Sequence, residues 1–127
     1  GWQADRGCST VQVENMINSM IYRKFIAASK APKSKNLLTE EDWQAMENIV
    51  CEVYPKMRNV IFGMKNMSTI NIRITILTRV GMRPTYIANL LIKEKSTVNS
   101  ARKRLFEKNF GTCGSPGDWD NFIMSIR

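Results

Sequence analysis

Histidine is absent from this 127-residue chain, so imidazole catalysis and His–metal ligation are excluded. Cysteine is scarce and odd in number, with Cys8, Cys51 and Cys113 far apart. No CxxC-type metal spacing exists, and inert thiols in a reducing compartment are the expectation. No apolar run approaches the ~20 residues a membrane-spanning helix needs, and no signal peptide is visible. GxxxxGK[ST] and GxSxG motifs are missing too, so the sequence offers no enzyme chemistry, no cofactor and no small-molecule substrate. No repeat of 20–50 residues and no low-complexity segment occurs. The chain opens Gly1-Trp2-Gln3 rather than with Met, as expected of a piece cut from a longer protein.

What is present is positive charge and helical periodicity. Apolar residues make up 43% of the chain, enough for a core, and the net charge of +8 points to a polyanionic partner. The charge is concentrated. Residues 1–78 hold ten Lys/Arg against seven Asp/Glu, net +3. Residues 79–108 hold eight against two, net +6, and residues 109–127 hold one against two, net −1.

The most basic stretch, Arg83 to Lys108, reads as two helices with a tight connection. Pro84 suits a first helical position, where its missing N–H costs nothing. Ile87, Ala88 and Leu91 form one apolar stripe, which Ile92-Lys93-Glu94-Lys95 interrupts. Ser96 or Thr97 is expected to cap the second helix, whose apolar face is Val98, Ala101 and Leu105. Its outward face would carry Ser96, Asn99, Ser100 and Lys103, flanked by Arg102 and Arg104. A small residue, Ala88, followed ten positions on by a β-branched residue, Val98, is the spacing of a helix-turn-helix. The blander alternative is an antiparallel helix pair inside an all-α domain.

Before it, Val13, Ile17, Ile21 and Phe25 form one stripe up to about Lys30, capped at Ser9 or Thr10 after a frayed start. This stripe is expected to pack on the domain or on a second copy. Ala31–Asn36 breaks the helix at Pro32 and is the candidate hinge. The expectation is thus an N-terminal arm over 1–36, for packing or dimerisation, and a helical domain over 37–127. Thr39 and Asp42 predict a capping box, with Trp43, Met46, Ile49 and Val50 following at helical spacing. Pro55 predicts a kink or two helices in series up to Gly63. Ile70–Leu77 alternates like a strand, but Ser68/Thr69 before it and Gly81 after it favour a helix over Ile70–Val80. Gly111 stops the basic helix, and Ser115-Pro116-Gly117-Asp118 starts a last one carrying Trp119 and Phe122. That helix is expected on the helix at 39–62, on the N-terminal helix, or at a dimer contact. Asp118 and Asp120 show no obvious partners.

From Val80-Gly81 through Ile87-Ala88-Asn89-Leu90-Leu91 and Ser96-Thr97-Val98 to Arg104-Leu105, the sequence resembles the LuxR-type helix-turn-helix family. Such motifs commonly have Gly in the turn, where Ile92 stands here; a β-branched residue resists the left-handed conformation, so an altered turn is expected. With Ile21-Tyr22-Arg23-Lys24-Phe25, Leu38-Thr39-Glu40-Glu41-Asp42-Trp43, Val53-Tyr54-Pro55, Phe110-Gly111 and Gly114-Ser115, most of the chain is similar to the C-terminal cytoplasmic regions of Bacteroidetes regulatory proteins. Those chains often carry tetratricopeptide repeats, a membrane helix and a coiled coil before a LuxR-like helix-turn-helix. The resemblance implies a cytoplasmic, all-α transcriptional regulator, working on double-stranded DNA as a homodimer. DNA contacts would come from Lys93, Lys95, Ser96, Asn99, Ser100, Arg102, Lys103 and Arg104, with helix 97–108 in the major groove and Asn99 reading an adenine edge. The alternative is a helical interaction or dimerisation module without DNA binding of its own.

Overall fold

The computed structural model describes residues 2–127, with side chains from Thr10 onward. The described residues form eight α-helices and no strands. In order they are α1 (Trp2–Ile17), α2 (Met20–Lys30), α3 (Glu40–Val53), α4 (Met57–Gly63), α5 (Thr69–Arg79), α6 (Pro84–Leu91), α7 (Lys95–Phe110) and α8 (Pro116–Met124), with a 3₁₀ turn at Lys33–Lys35.

The first departure from expectation is at the N-terminus. The stripe from Val13 to Phe25 does not lie on one helix. Ser19 divides it: its Oγ donates to the Met16 carbonyl at 2.6 Å and accepts from the Tyr22 N–H at 3.2 Å. One hydroxyl therefore closes α1 and caps α2, because a serine side chain competes with the backbone for its own neighbours' groups. The two helices then use different residues. Met16 seats α1 against α3, while Phe25 of α2 is fully buried and meets Trp43 edge-on, with ring centroids 4.8 Å apart. The helix also begins well before Ser9 and Thr10, which do not cap it. The side chain of Cys8 lies outside the described residues.

α2 packs on α3 and α6. The Ala31–Asn36 segment does turn the chain, but it is tied down: Asn36 Nδ2 donates to the Leu90 carbonyl at 2.7 Å, and Asn89 Nδ2 donates to the Ser29 carbonyl at 3.1 Å. The first bond joins the segment expected as a hinge to the carbonyl end of α6, and the second joins α6 to the carbonyl end of α2.

α3 starts as its sequence demands. Thr39 Oγ1 accepts from the Asp42 N–H, and Asp42 Oδ2 accepts from the Thr39 N–H, a complete capping box. Tyr54 and Pro55 separate α3 from α4, so the segment is two helices in series.

α5 is the axis of the fold, in contact with α3, α6, α7 and α8. That position explains its composition. Ile74, Thr75, Ile76, Leu77 and Thr78 are all buried, and a helix buried nearly all round needs no polar face. The strand-like alternation of Ile70–Leu77 does not follow burial, since Ile70 is exposed and Ile72 half-buried; Ser68 Oγ accepts from the Asn71 N–H and fixes the helix start. Gly81, at φ 84°, ends α5: its N–H donates to the Thr78 carbonyl and the Met82 N–H to the Leu77 carbonyl, the six-to-one closure of a Schellman motif.

α8 packs on α7 and α5, not on the α3–α4 pair or the N-terminal helices as expected. Trp119 and Ile123 are fully buried there; Phe106 stacks on Phe110 at 4.8 Å between centroids, and Phe110 meets Phe122 edge to face at 5.0 Å. Gly114 permits this docking, since a Cβ at that position would run into the Phe106 ring. The chain end is held in turn. Arg79 Nε donates to the Ile126 carbonyl at 2.7 Å while its guanidinium lies 3.6 Å from the Tyr54 ring centre. Burial pushes the Arg79 pKa below the ordinary arginine value.

Candidate nucleic-acid interface

α6 and α7 are joined by the three residues 92–94 and pack on each other and on α5. Arg83 is the N-cap of α6 and Pro84 its first helical residue, as read from the sequence. Ile87, Ala88 and Leu90 of α6 and Val98 and Leu105 of α7 are buried, Val98 and Leu105 completely. Each aliphatic side chain so buried contributes about 1.5–3 kcal/mol. The pair is therefore a fixed platform for whatever α7 presents outward.

The connection differs from expectation. Ile92 does adopt the left-handed conformation, at φ 55° and ψ 48°. Its N–H donates to the Asn89 carbonyl and the Lys93 N–H to the Ala88 carbonyl, the same Schellman closure that Gly81 makes at the end of α5. The turn is thus an ordinary one built with a strained residue, at a cost of about 1–2 kcal/mol. Ile92 does not recover this by burial, since it is 58% exposed.

α7 begins at Lys95 with Glu94 as N-cap, and no side chain caps it. Ser96 and Thr97, expected as caps, fall in the first turn and face solvent. At 100° per residue, Ser96, Ser100 and Lys103 share the face opposite Val98 and Leu105, with Thr97, Arg104 and Lys108 along one flank. All six are exposed. Ser96, Thr97, Ser100, Ala101 and Arg104 line a shallow depression on this face. Lys93 and Lys95 are exposed beside it at the turn. None of Lys93, Lys95, Lys103 and Arg104 is in an ion pair among the described residues.

Two expected contact residues are placed otherwise. Arg102 is only 5% exposed and turned toward α8. Its Nε donates to Asp120 Oδ1 at 2.8 Å, Nη2 pairs with Asp120 Oδ2, and Nη1 donates to Asn99 Oδ1 at 2.7 Å. The guanidinium has no free edge for a phosphate, so Arg102 leaves the candidate surface. Asp120, read as partnerless, is that partner, and Asp118 closes a capping box with Ser115. Asn99 is half-buried on the flank toward α8 and has one lone pair of Oδ1 already taken. Reading adenine takes a donor and an acceptor from the same amide edge, and here the Oδ1 acceptor is shared with Arg102. Asn99 keeps its Nδ2 donors and one Oδ1 lone pair, in an orientation set by Arg102.

Thr97 and Lys108 belong to the exposed face but were missed as contact candidates. Drawing the face from Val98 and Leu105 outward, rather than from the charges, finds both. Among the described residues no group of three or more Cys, Asp or Glu is placed to hold a metal ion, and no helix is long and apolar enough to cross a membrane. Burial pushes the Cys51 thiol pKa up. No protein-family model, no curated protein and no solved structure matches this chain.

Proposed function

We propose that the chain is the DNA-binding module of a transcriptional regulator, with α6 and α7 as a LuxR-like helix-turn-helix and α7 as the helix that enters the major groove. The observation that carries this reading is the exposed face of α7. Ser96, Thr97, Ser100, Lys103 and Arg104 stand outward on one side of a helix whose other side is locked into the core by Val98 and Leu105. Small hydroxyl side chains leave room for close approach to base edges, and the cations neutralise phosphates. Lys93 and Lys95 hold the backbone next to the helix N-terminus, where such helices meet DNA. Arg102 serves this surface indirectly, by fixing α7 to α8 and by orienting Asn99.

The second reading, a helical interaction module, is favoured by one observation: Val11, Ile17 and Met20 are exposed apolar residues around the α1–α2 junction, Met20 at 90%. The two readings are compatible, because helix-turn-helix proteins commonly bind two half-sites as dimers. Fluorescence anisotropy of a labelled random duplex at two salt concentrations, with sedimentation in parallel, separates them. Affinity that falls steeply with salt supports the DNA-binding module. Tight self-association with no salt-dependent duplex affinity supports the interaction module.

A further inference from the structure

The end of α2 with the Ala31–Asn36 segment and the end of α6 lie more than 50 residues apart in sequence, yet two asparagines strap them together. Asn36 Oδ1 accepts from the Leu38 N–H at 3.1 Å while its Nδ2 donates to the Leu90 carbonyl at 2.7 Å. Asn89 Nδ2 donates to the Ser29 carbonyl at 3.1 Å. Leu90 and Ser29 stand in the last turns of α6 and α2, where carbonyls have no helical donor. Each asparagine thus satisfies the open end of the other segment's helix.

The consequence is a convergence of charge. Half-buried Lys33 and exposed Lys35 lie within three residues of Asn36, which ties them to the α6 end that Lys93 and Lys95 follow, and Glu94 is the one acid on either stretch; Lys30, at the end of α2, instead lines a cavity with Arg83 and Tyr86 at the start of α6. None of these five lysines is in an ion pair among the described residues. Two helix carbonyl ends pointing at one corner account for some of this positive charge, because cations there offset the helix dipoles. Two or three lysines would suffice for that. Lys33 and Lys35 lie beyond the end of α2, on the 3₁₀ turn, where that account is weakest.

We propose that Lys33 and Lys35 form a second phosphate-binding strip that extends the DNA contact of α7 past the turn onto the flanking backbone of the duplex. This rests on the DNA-binding reading above. The occupant is duplex phosphate because Lys33 and Lys35 are mobile point charges tied to the helix end that Lys93 and Lys95 follow, while the Asn36 amide beside them is already spent on the Leu90 carbonyl and the Leu38 N–H. The strip therefore adds affinity equally to all sequences.

The test is the salt dependence of duplex affinity, by anisotropy, for the native chain, Lys35→Ala, and Lys33→Ala/Lys35→Ala, with Lys33→Arg/Lys35→Arg as the charge-conserving control. A protein that neutralises one phosphate fewer has a slope of log affinity against log salt shallower by about 0.9. The proposal predicts a slope shallower by about 0.9 for Lys35→Ala and by about 1.8 for the double alanine variant, alike on random and promoter duplexes, with the arginine variant native. An unchanged slope in both alanine variants overturns it, and leaves the DNA-binding reading standing if Lys103→Glu/Arg104→Glu still abolishes binding. A weakening confined to one duplex sequence also overturns it. No salt-dependent binding by the native chain overturns both.

Discussion

Arg102 and Arg104 stand two residues apart on α7, carry the same side chain and meet opposite surroundings. Arg102 lies against α8 with three of its five N–H donors bonded: Asp120 takes two and Asn99 one. Arg104 is exposed beside Ser100 and Thr97, with no ion pair among the described residues. One helix thus has a basic residue that belongs to the fold and others that are left over by it. A charge that stabilises nothing in the folded chain is the better candidate for a partner's contact. The helix rotation of about 200° between positions 102 and 104 makes this division, and the row Arg102-Lys103-Arg104 hides it.

The largest expected effect breaks the inner half of the comparison. Asp120→Ala leaves a buried guanidinium unpaired, and should cost about 3 kcal/mol of stability by urea unfolding, toward the low end for such pairs because the Asp120 side chain is 30% exposed. Lys103→Glu/Arg104→Glu should stay within about 0.5 kcal/mol of the native chain, as surface changes do. Equal losses in the two variants would erase the distinction between the faces.

Gly114→Ala sharpens it from the α8 side. The added methyl would press on Phe106, and overpacking of this kind costs about 1–3 kcal/mol. Thermal unfolding reads the loss; a native melting temperature would mean that the α7–α8 packing is looser than Phe106, Phe110 and Phe122 make it.

A smaller effect, of opposite sign, is expected at the turn that aims α7. Gly81 and Ile92 hold the same place in the same Schellman motif, one without strain and one with it. Ile92→Gly should stabilise by about 1 kcal/mol, the left-handed penalty relieved less the added chain entropy. A destabilised Ile92→Gly variant would show that the exposed side chain has an interaction worth more than its strain.

The smallest effect lies away from α7. Asp42 is held below the usual carboxylate range, first by the hydrogen bond from Lys24 and then by the Thr39 N–H. A carboxyl with a lowered folded-state pKa stabilises above its unfolded value and loses that contribution as pH falls through the folded one. Asp42→Asn should therefore flatten the acid limb of the stability curve below about pH 4, and leave its shape near neutrality unchanged.

Much of the fold is legible in the sequence where one local signal acts alone. Thr39 and Asp42 announce α3, Pro84 announces α6, Gly81 and Gly111 announce helix ends, and the Ala88–Val98 spacing announces the α6–α7 pair. The reading fails where a second element decides. Ser19 sits inside an unbroken apolar stripe, so the α1–α2 break is invisible until Met16 and Phe25 face different neighbours. Ile92 is left-handed because α6 and α7 must both pack on α5, which overrides its own preference. The inward turn of Arg102 depends on Asp120, eighteen residues away on a helix whose docking place no periodicity specifies. The same holds for the asparagine strap, since Asn36 and Asn89 look like loop and helix-surface residues when taken separately.

The most direct measurement compares two charge reversals of equal size. Lys103→Glu/Arg104→Glu changes the exposed face of α7, and Lys56→Glu/Arg58→Glu changes exposed cations at the start of α4. Duplex affinity is read by anisotropy at low and moderate salt, with circular dichroism checking the fold of both. If α7 is the DNA-contacting helix, the first variant loses more than about tenfold in affinity and most of its salt dependence, while the second keeps a near-native slope. Equal losses in the two variants would mean that duplex DNA responds only to net charge, and would contradict the account.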